Sequence, residues 1–286
     1  MGPTVKLNHG GELPMVGSGT WQLDEATAER AVATALEAGY RGVDTAAGYG
    51  NERGVGRAVR ASGLPREEVF VTTKVVDREG YRHTVDSCRA SLERLGLEWI
   101  DLYLIHWPFD EVAAETWRAL EDLLEEGLVR AIGVSNFSAA RLERLTATAR
   151  VTPAVNSVEL HPFVAQNDLR RYCADRGIAV QSWSPLMQGG ELLRNPVVER
   201  IAAAHGKSAA QVVLHWHVQH GLCVIPRSTS AAHIRANADL FGFELGVDEM
   251  RRLDGLNENR RANPVADPET YVFTDETYQR IQAVND

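Results

Sequence analysis

Cysteine is scarce: Cys88, Cys173 and Cys223 are the three in 286 residues, far apart and with no CxxC pair. An odd, scattered set implies no disulfide framework and fits reduced thiols in a cytosol. Long apolar runs are also missing, and none approaches the ~20 residues of a membrane span. The opening Met1-Gly2-Pro3-Thr4-Val5-Lys6-Leu7-Asn8 has no apolar signal core. It begins Met-Gly, but Lys6 stands where a myristoylation motif needs Ser or Thr. The cytoplasm is therefore the expected location.

Positive charge is in deficit. Lys and Arg number 30 against 39 Asp and Glu, a formal charge of −9. Phosphate-backbone binding needs a clustered cationic excess, so nucleic acid is excluded as a partner, while a small anionic cofactor on a local basic patch is not. No complete metal-ligand set is present. Glu159 and His161 resemble a fragment of one, and His215, His217 and His220 share a helix without HExxH, so hydrogen bonding and packing are expected of them. A complete GxGxxG is lacking too. Gly17-Ser18-Gly19 and Gly54-Val55-Gly56 start the pattern but neither ends in Gly or Ala, so both fail as dinucleotide fingerprints. No linker or low-complexity stretch divides residues 1–286, which read as one domain. No sustained exposed apolar stripe is evident, so a monomer is expected.

What is present is alternation. Strand-like runs at Met15–Gly19, Gly42–Asp44, Val69–Lys74, Ile100–His106, Ala131–Ser135, Ala154–Glu159, Ile178–Ser184 and Leu222–Pro226 are separated by amphipathic stretches. These include 26–38, 52–61, 83–95, 115–126, 139–148, 167–176 and 209–220. Helix-stopping glycines (Gly39, Gly127, Gly177, Gly221) precede several strands. Eight strands, each followed by a helix, predict a (β/α)8 TIM barrel, an α/β fold. Residues 5–14 read as an N-terminal β-hairpin with a Gly10-Gly11 turn. The aperiodic tail beyond Asn257, with Pro264, Pro268, Tyr271 and Phe273, reads as a C-terminal loop over one barrel mouth.

Barrel chemistry gathers at the C-terminal strand ends. The polar residues there are Asp44, Lys74, His106, Ser135 with Asn136, Glu159 with His161, Trp183 with Ser184, and Arg227 with Ser228. Tyr49 follows Asp44 by five residues. A phenol ionises near pH 10 and is a sluggish acid. An adjoining ammonium, Lys74, would lower that value, and a buried ammonium needs a carboxylate, Asp44. His106 would orient a carbonyl or share the proton. No side chain supplies hydride, so a nicotinamide cofactor is required. Trp21 and Trp107, each just past a strand, are candidate walls of a substrate pocket.

With these residues assembled, the chain resembles the aldo-keto reductases, most nearly the bacterial 2,5-diketo-gluconate-reductase-like and prostaglandin-F-synthase-like members. The matching stretches are Gly19-Thr20-Trp21, the DTAxxYxNE run at 44–52, Thr72-Thr73-Lys74, 101–108, Gly133-Val134-Ser135-Asn136-Phe137, 158–162, Trp183-Ser184-Pro185-Leu186, and Ile225-Pro226-Arg227-Ser228. They span nearly the whole chain in order. The resemblance implies NAD(P)H-dependent reduction of aldehydes and ketones, with Asp44, Tyr49, Lys74 and His106 as the catalytic tetrad. It implies a cofactor held by Gly19, Thr20, Ser135, Asn136, Ser157, Trp183, Ser184, Leu186, Arg227, Ser228, His233 and Asn237. Ser135 and Asn136 would hold the carboxamide, Trp183 would stack on the nicotinamide, and Arg227, Ser228, His233 and Asn237 would take the adenosine end. The partner is a small-molecule carbonyl compound. A non-catalytic nicotinamide-nucleotide-binding regulatory subunit is the alternative, and the intact tetrad speaks against it.

Three departures modify that expectation. The family usually reads Asn-Gln where this chain has Asn156-Ser157. Its 2′-phosphate pair is commonly Lys and, six residues on, Arg; here the pair is Arg227 and His233, so NADPH is expected to be preferred with weakened discrimination against NADH. Residues 75–80 lack the tryptophan common there.

Overall fold

The computed structural model describes residues 2–262, 267–269 and 274. Strands β1 (Thr4–Lys6) and β2 (Glu12–Pro14) form the expected antiparallel hairpin. Eight strands then run in chain order around the barrel: β3 (Gly17–Gly19), β4 (Gly42–Asp44), β5 (Phe70–Val75), β6 (Leu102–Ile105), β7 (Ile132–Ser135), β8 (Val155–Glu159), β9 (Ala179–Trp183) and β10 (Cys223–Val224). Every neighbouring pair is parallel. The seam between first and last is drawn together by a parallel bridge, Val16 to Val224, with Val224 N–H donating to Met15 O at 2.8 Å. The sheet is a nearly closed barrel, as predicted.

Period-two alternation sorts the strand residues. Val71, Tyr103, Ile105, Val134, Val158 and Val180 face outward into one large core shared with the helices. Leu102, Leu104, Ala131, Val155 and Cys223 face inward and pack with Leu7 and Leu13 of the hairpin. The hairpin therefore stoppers the N-terminal end, and the opposite end is left for polar groups.

The helices are α1 (Glu25–Glu37), α2 (Glu52–Ala61), α3 (Tyr81–Leu95), α4 (Ala113–Glu125), α5 (Ala139–Thr146), α6 (Asn167–Ala174), α7 (Pro196–His205), α8 (Ala209–Gln219), α9 (Ala231–Ala238) and α10 (Val247–Asp254). Asp24 caps α1 by accepting from Thr27 N–H at 2.8 Å, and Ser208 with Gln211 form a capping box on α8. Gly54 and Gly56 sit in α2, where a Cβ would strike the backbone carbonyls of Glu25 and Leu95. That GxG is a helix-packing device, which is why it mimics a nucleotide fingerprint without being one.

The simple alternation of one strand and one helix fails near the end of the chain. Two helices, α7 and α8, follow β9, and two more, α9 and α10, follow β10. The short α9 and α10 carry little apolar signal: α9 buries only Ile234 and Asn237, and α10 only Leu253. The tail up to Ala262 runs past the end of β8. Arg260 N–H bonds Phe163 O at 2.9 Å, Ala262 N–H bonds Glu159 Oε1 at 2.5 Å, and Arg261 approaches Glu159 Oε2 at 3.4 Å. Farther on, Pro268 O accepts from Arg141 at 3.0 Å. Pro264, Tyr271 and Phe273, and with them most of the expected loop over the mouth, lie outside the described residues.

Candidate active site

Asp44 ends β4, Lys74 lies one residue before the end of β5, and His106 follows β6, so three adjacent strands deliver them to one rim. Tyr49 arrives by a tight turn at 47–49 closed by Gly50 at φ +68°. The Lys74 ammonium donates to Asp44 Oδ1 at 2.5 Å and to Thr45 O at 2.8 Å. It stands 5.2 Å from the centroid of the Tyr49 ring, which meets the His106 ring edge-on at 5.5 Å. The predicted tetrad is one cluster. Behind it, Asn51 Oδ1 accepts from Thr45 Oγ1 at 2.7 Å while its amide donates to Thr20 O and Leu23 O. Glu52 is buried, accepting from Thr73 at 2.6 Å and pairing with Arg94 at 2.7 Å. These two acceptors lock the turn and β5 around the cluster.

The electrostatics depart from the expectation at one point. Lys74 was expected to lower the Tyr49 pKa; instead burial pushes the phenol well above its ordinary value, and the Asp44 charge pushes the same way. Desolvation disfavours phenolate more than one ammonium already shared with Asp44 can favour it. Burial draws Asp44 up and Lys74 down, each opposed by the attraction between them. Burial, reinforced by Lys74, holds His106 well below the ordinary imidazole value. These directions leave a protonated phenol and a neutral imidazole at neutral pH, beside the Asp44–Lys74 contact. The cluster offers protons and does not readily take them.

Across the mouth, β7, β8 and β9 build a second half. Ser135 Oγ donates to Ser157 O at 2.9 Å. Asn136, at φ +66°, donates to His106 O at 3.0 Å and to Ser135 Oγ at 3.1 Å, and accepts from Trp183 Nε1 at 3.0 Å. That last bond fixes the indole. Ser184 follows at φ +50°, and Leu186 is partly buried against the core. Within β8 and β9 two buried polar atoms have no partner, Ser157 Oγ and Gln181 Oε1, and just past β8 so does His161 Nδ1. Buried polar atoms are normally paired, so the first two fit a polar planar ligand group such as a carboxamide. At the β10 end, Arg227 and His233 are exposed with no carboxylate partner among the described residues. Ser228 lies between them and Asn237 is buried on α9.

Gly19 and Thr20 are occupied internally. Gly19 N–H donates to Pro226 O at 3.1 Å across the barrel seam. Thr20 is fully buried, its hydroxyl donating to Asp44 O at 3.0 Å. Trp21 is exposed just beyond β3, and the half-buried Trp107 lies beside His106, ring centroids 6.4 Å apart. His161 bonds Glu159 at 3.2 Å, and no metal-binding cluster occurs among the described residues. His217 is packed between the carbonyls of Val213 and Leu160.

Sequence reasoning missed Asp77 and Gln181. Asp77 accepts from the backbone of Glu79 and Gly80 and from His83, Thr84 and Thr116, pinning the turn between β5 and α3. An aspartate three residues before the glycine that starts a helix was its signal. Gln181 had a signal as well: it is the inward position two residues before Trp183.

Residues 14–258 match the Aldo/keto reductase family. The chain is 48% identical over 272 residues to a glyoxal reductase of Bacillus subtilis, covering 94% of this chain and 98% of that protein. An aldo/keto reductase from Brucella melitensis is similar in structure, with a TM-score of 0.87 at 46% identity, over 90% of this chain and 100% of that one. A Bombyx mori aldo-keto reductase in complex with NADP gives a TM-score of 0.88 at 35% identity, over 95% and 98%.

Proposed function

The chain belongs to the aldo/keto reductase family, and from that premise we propose that it reduces small aldehydes and ketones to alcohols, with Tyr49 as the general acid and NADPH as the preferred cofactor. The observation that carries this reading is the contact of Lys74 with both Asp44 and the Tyr49 ring at the open end of the barrel. When bound, reduced nicotinamide supplies the hydride. Tyr49 stays protonated until far above neutral pH, so its hydroxyl can donate to a carbonyl oxygen and transfer its proton as that oxygen gains charge. An alkoxide is a stronger base than an ordinary phenolate, and that difference drives the transfer. The Lys74 ammonium, 5.2 Å from the centroid of the Tyr49 ring, is the positive charge that would face the phenolate left behind, against the opposing charge of Asp44.

His106 acts as a neutral hydrogen-bond donor. Its Nδ1 is buried without a partner. An unpaired buried N–H is rarer than an unpaired acceptor, which favours the tautomer with its proton on Nε2. Trp183 and the β7–β9 residues would hold the ring, and Arg227 with His233 the 2′-phosphate. One guanidinium and one imidazole make a weaker dianion site than two permanent cations, so NADH should also be accepted. The related glyoxal reductase suggests small α-oxoaldehydes among the substrates.

The test follows NADPH consumption with nitrobenzaldehyde and glyoxal. Wild-type protein should turn over both, with kcat/KM favouring NADPH over NADH by less than about a hundredfold. Tyr49→Phe should lose activity by about a thousandfold or more while still binding cofactor. Retained turnover in that variant would sink the acid assignment. The non-catalytic regulatory reading has no observation in its favour, and absence of turnover in the wild type is what would revive it.

A further inference from the structure

The hydrogen-bonding capacity of the β7–β9 half can be counted atom by atom. Both amide hydrogens of Asn136 are committed, to His106 O and Ser135 Oγ, and its oxygen already accepts from Trp183. The Ser135 hydroxyl is spent on Ser157 O. The donors of these two residues are therefore spent on the protein, while each oxygen keeps one lone pair. The buried atoms inside β8 and β9 left without a partner are Ser157 Oγ and Gln181 Oε1. They belong together, because Ser157 and Gln181 are register partners on adjacent parallel strands. Neighbours in register project to the same face of a sheet. That face is the interior: Val155, two residues before Ser157, packs in the inner core, while Val158 and Val180 pack outward with the helices. Ser157 is fully buried and Gln181 is 3% exposed, two residues before Trp183 on the same face of β9.

A serine hydroxyl is too short to replace the glutamine that the family commonly carries on β8. A glutamine on the next strand is not. We propose that Gln181 reads the nicotinamide carboxamide, its Oε1 accepting from the carboxamide NH2, with Ser157 Oγ alongside. The amide contact has moved one strand over, from β8 to β9. Gln181 is thus a cofactor-positioning residue: by holding the carboxamide in the ring plane it sets which face of the ring lies against Trp183 and which faces Tyr49. This assignment rests on the reading of the site as a nicotinamide pocket.

The experiment is titration calorimetry of NADP+ and of its acetylpyridine analogue, in which a methyl ketone replaces the carboxamide and the NH2 donor is gone. Gln181→Met keeps the side-chain volume and removes the acceptor. It should weaken NADP+ binding by about tenfold, the size of one neutral hydrogen bond with its partner left unsatisfied, and leave the analogue within about twofold. The swap Ser157→Gln/Gln181→Ser should return NADP+ affinity to within about threefold of wild type. Equal weakening of both ligands would show a packing role, unchanged NADP+ binding would show that the two atoms serve an internal water, and a swap no better than Gln181→Met would show that β8 and β9 do not reach the same group; each overturns the assignment. Wild-type protein that binds no NADP+ would overturn the nicotinamide reading itself, which is a separate outcome.

Discussion

Two buried aspartates sit at the ends of the same stretch of barrel and lead opposite lives. Asp77, in the turn after β5, accepts hydrogen bonds from two backbone N–H groups and three side chains, and these hold its carboxyl below the usual range although burial opposes them. Asp44, at the end of β4, has the Lys74 ammonium on one oxygen and nothing on the other, and burial draws its carboxyl up. The buried histidines divide the same way. His217 has Val213 O within bonding reach of Nδ1 and the Ser182 hydroxyl within reach of Nε2, while His106 has a bare Nδ1. Groups that hold the fold are saturated; groups at the mouth keep capacity in reserve. Unpaired atoms are not sufficient evidence by themselves, since the Tyr103 hydroxyl and the His215 ring, away from the mouth, also lack partners. Convergence on one opening is what separates the two classes.

The same substitution at the two aspartates should therefore separate in kcat. Asp44→Asn is expected to lower kcat by about a hundredfold or more and also to cost about 3 kcal/mol of stability, because it leaves the buried Lys74 without its counter-charge. Asp77→Asn should leave kcat within about twofold and cost about 2–4 kcal/mol in urea unfolding. An exchange of those outcomes would break the comparison.

The histidines offer a smaller, pH-resolved version. Burial lowers the His217 pKa to about 4, against ~6.5 in an unfolded chain. Its contribution is fully present above the unfolded value and is lost as pH falls from ~6.5 towards 4, about 3 kcal/mol in all at ~1.4 kcal/mol per unit. His217→Gln should flatten that limb of stability against pH, with kcat/KM at neutral pH unaffected.

The smallest expected effect sharpens the chemistry. Because the Tyr49 phenol is raised rather than lowered, kcat/KM for reduction should show no fall from its ionisation below pH ~10. A basic limb near neutrality that disappears in Tyr49→Phe's residual activity would restore the opposite electrostatic picture.

Most of the barrel was legible because its signals are local. Apolar runs, and glycines at φ +94°, +76°, +66° and +74° where helices had to stop (Gly39, Gly127, Gly177, Gly221), mark their own places. The tetrad was legible because acid, lysine and histidine each end such a run. Lysine is itself informative here: Lys6, Lys74 and Lys207 are the lysines among 30 Lys and Arg residues, so position 74 uses a compact ammonium in a chain that otherwise chooses guanidinium. The direction of the Tyr49 shift was not legible, since it depends on how completely neighbours exclude water. Gln181 was overlooked because a lone amide inside a strand reads as one more alternating polar residue until its neighbour on β8 is known. The helices after β9 and β10 escaped because α9 and α10 bury so little.

The Leu7 and Leu13 stopper makes the barrel a cup instead of a pipe. Asp44 and Lys74 are each only 2% exposed. A guest across the brim would thin the remaining water, and the attraction between those charges would strengthen as the local dielectric falls, without either side chain having to move.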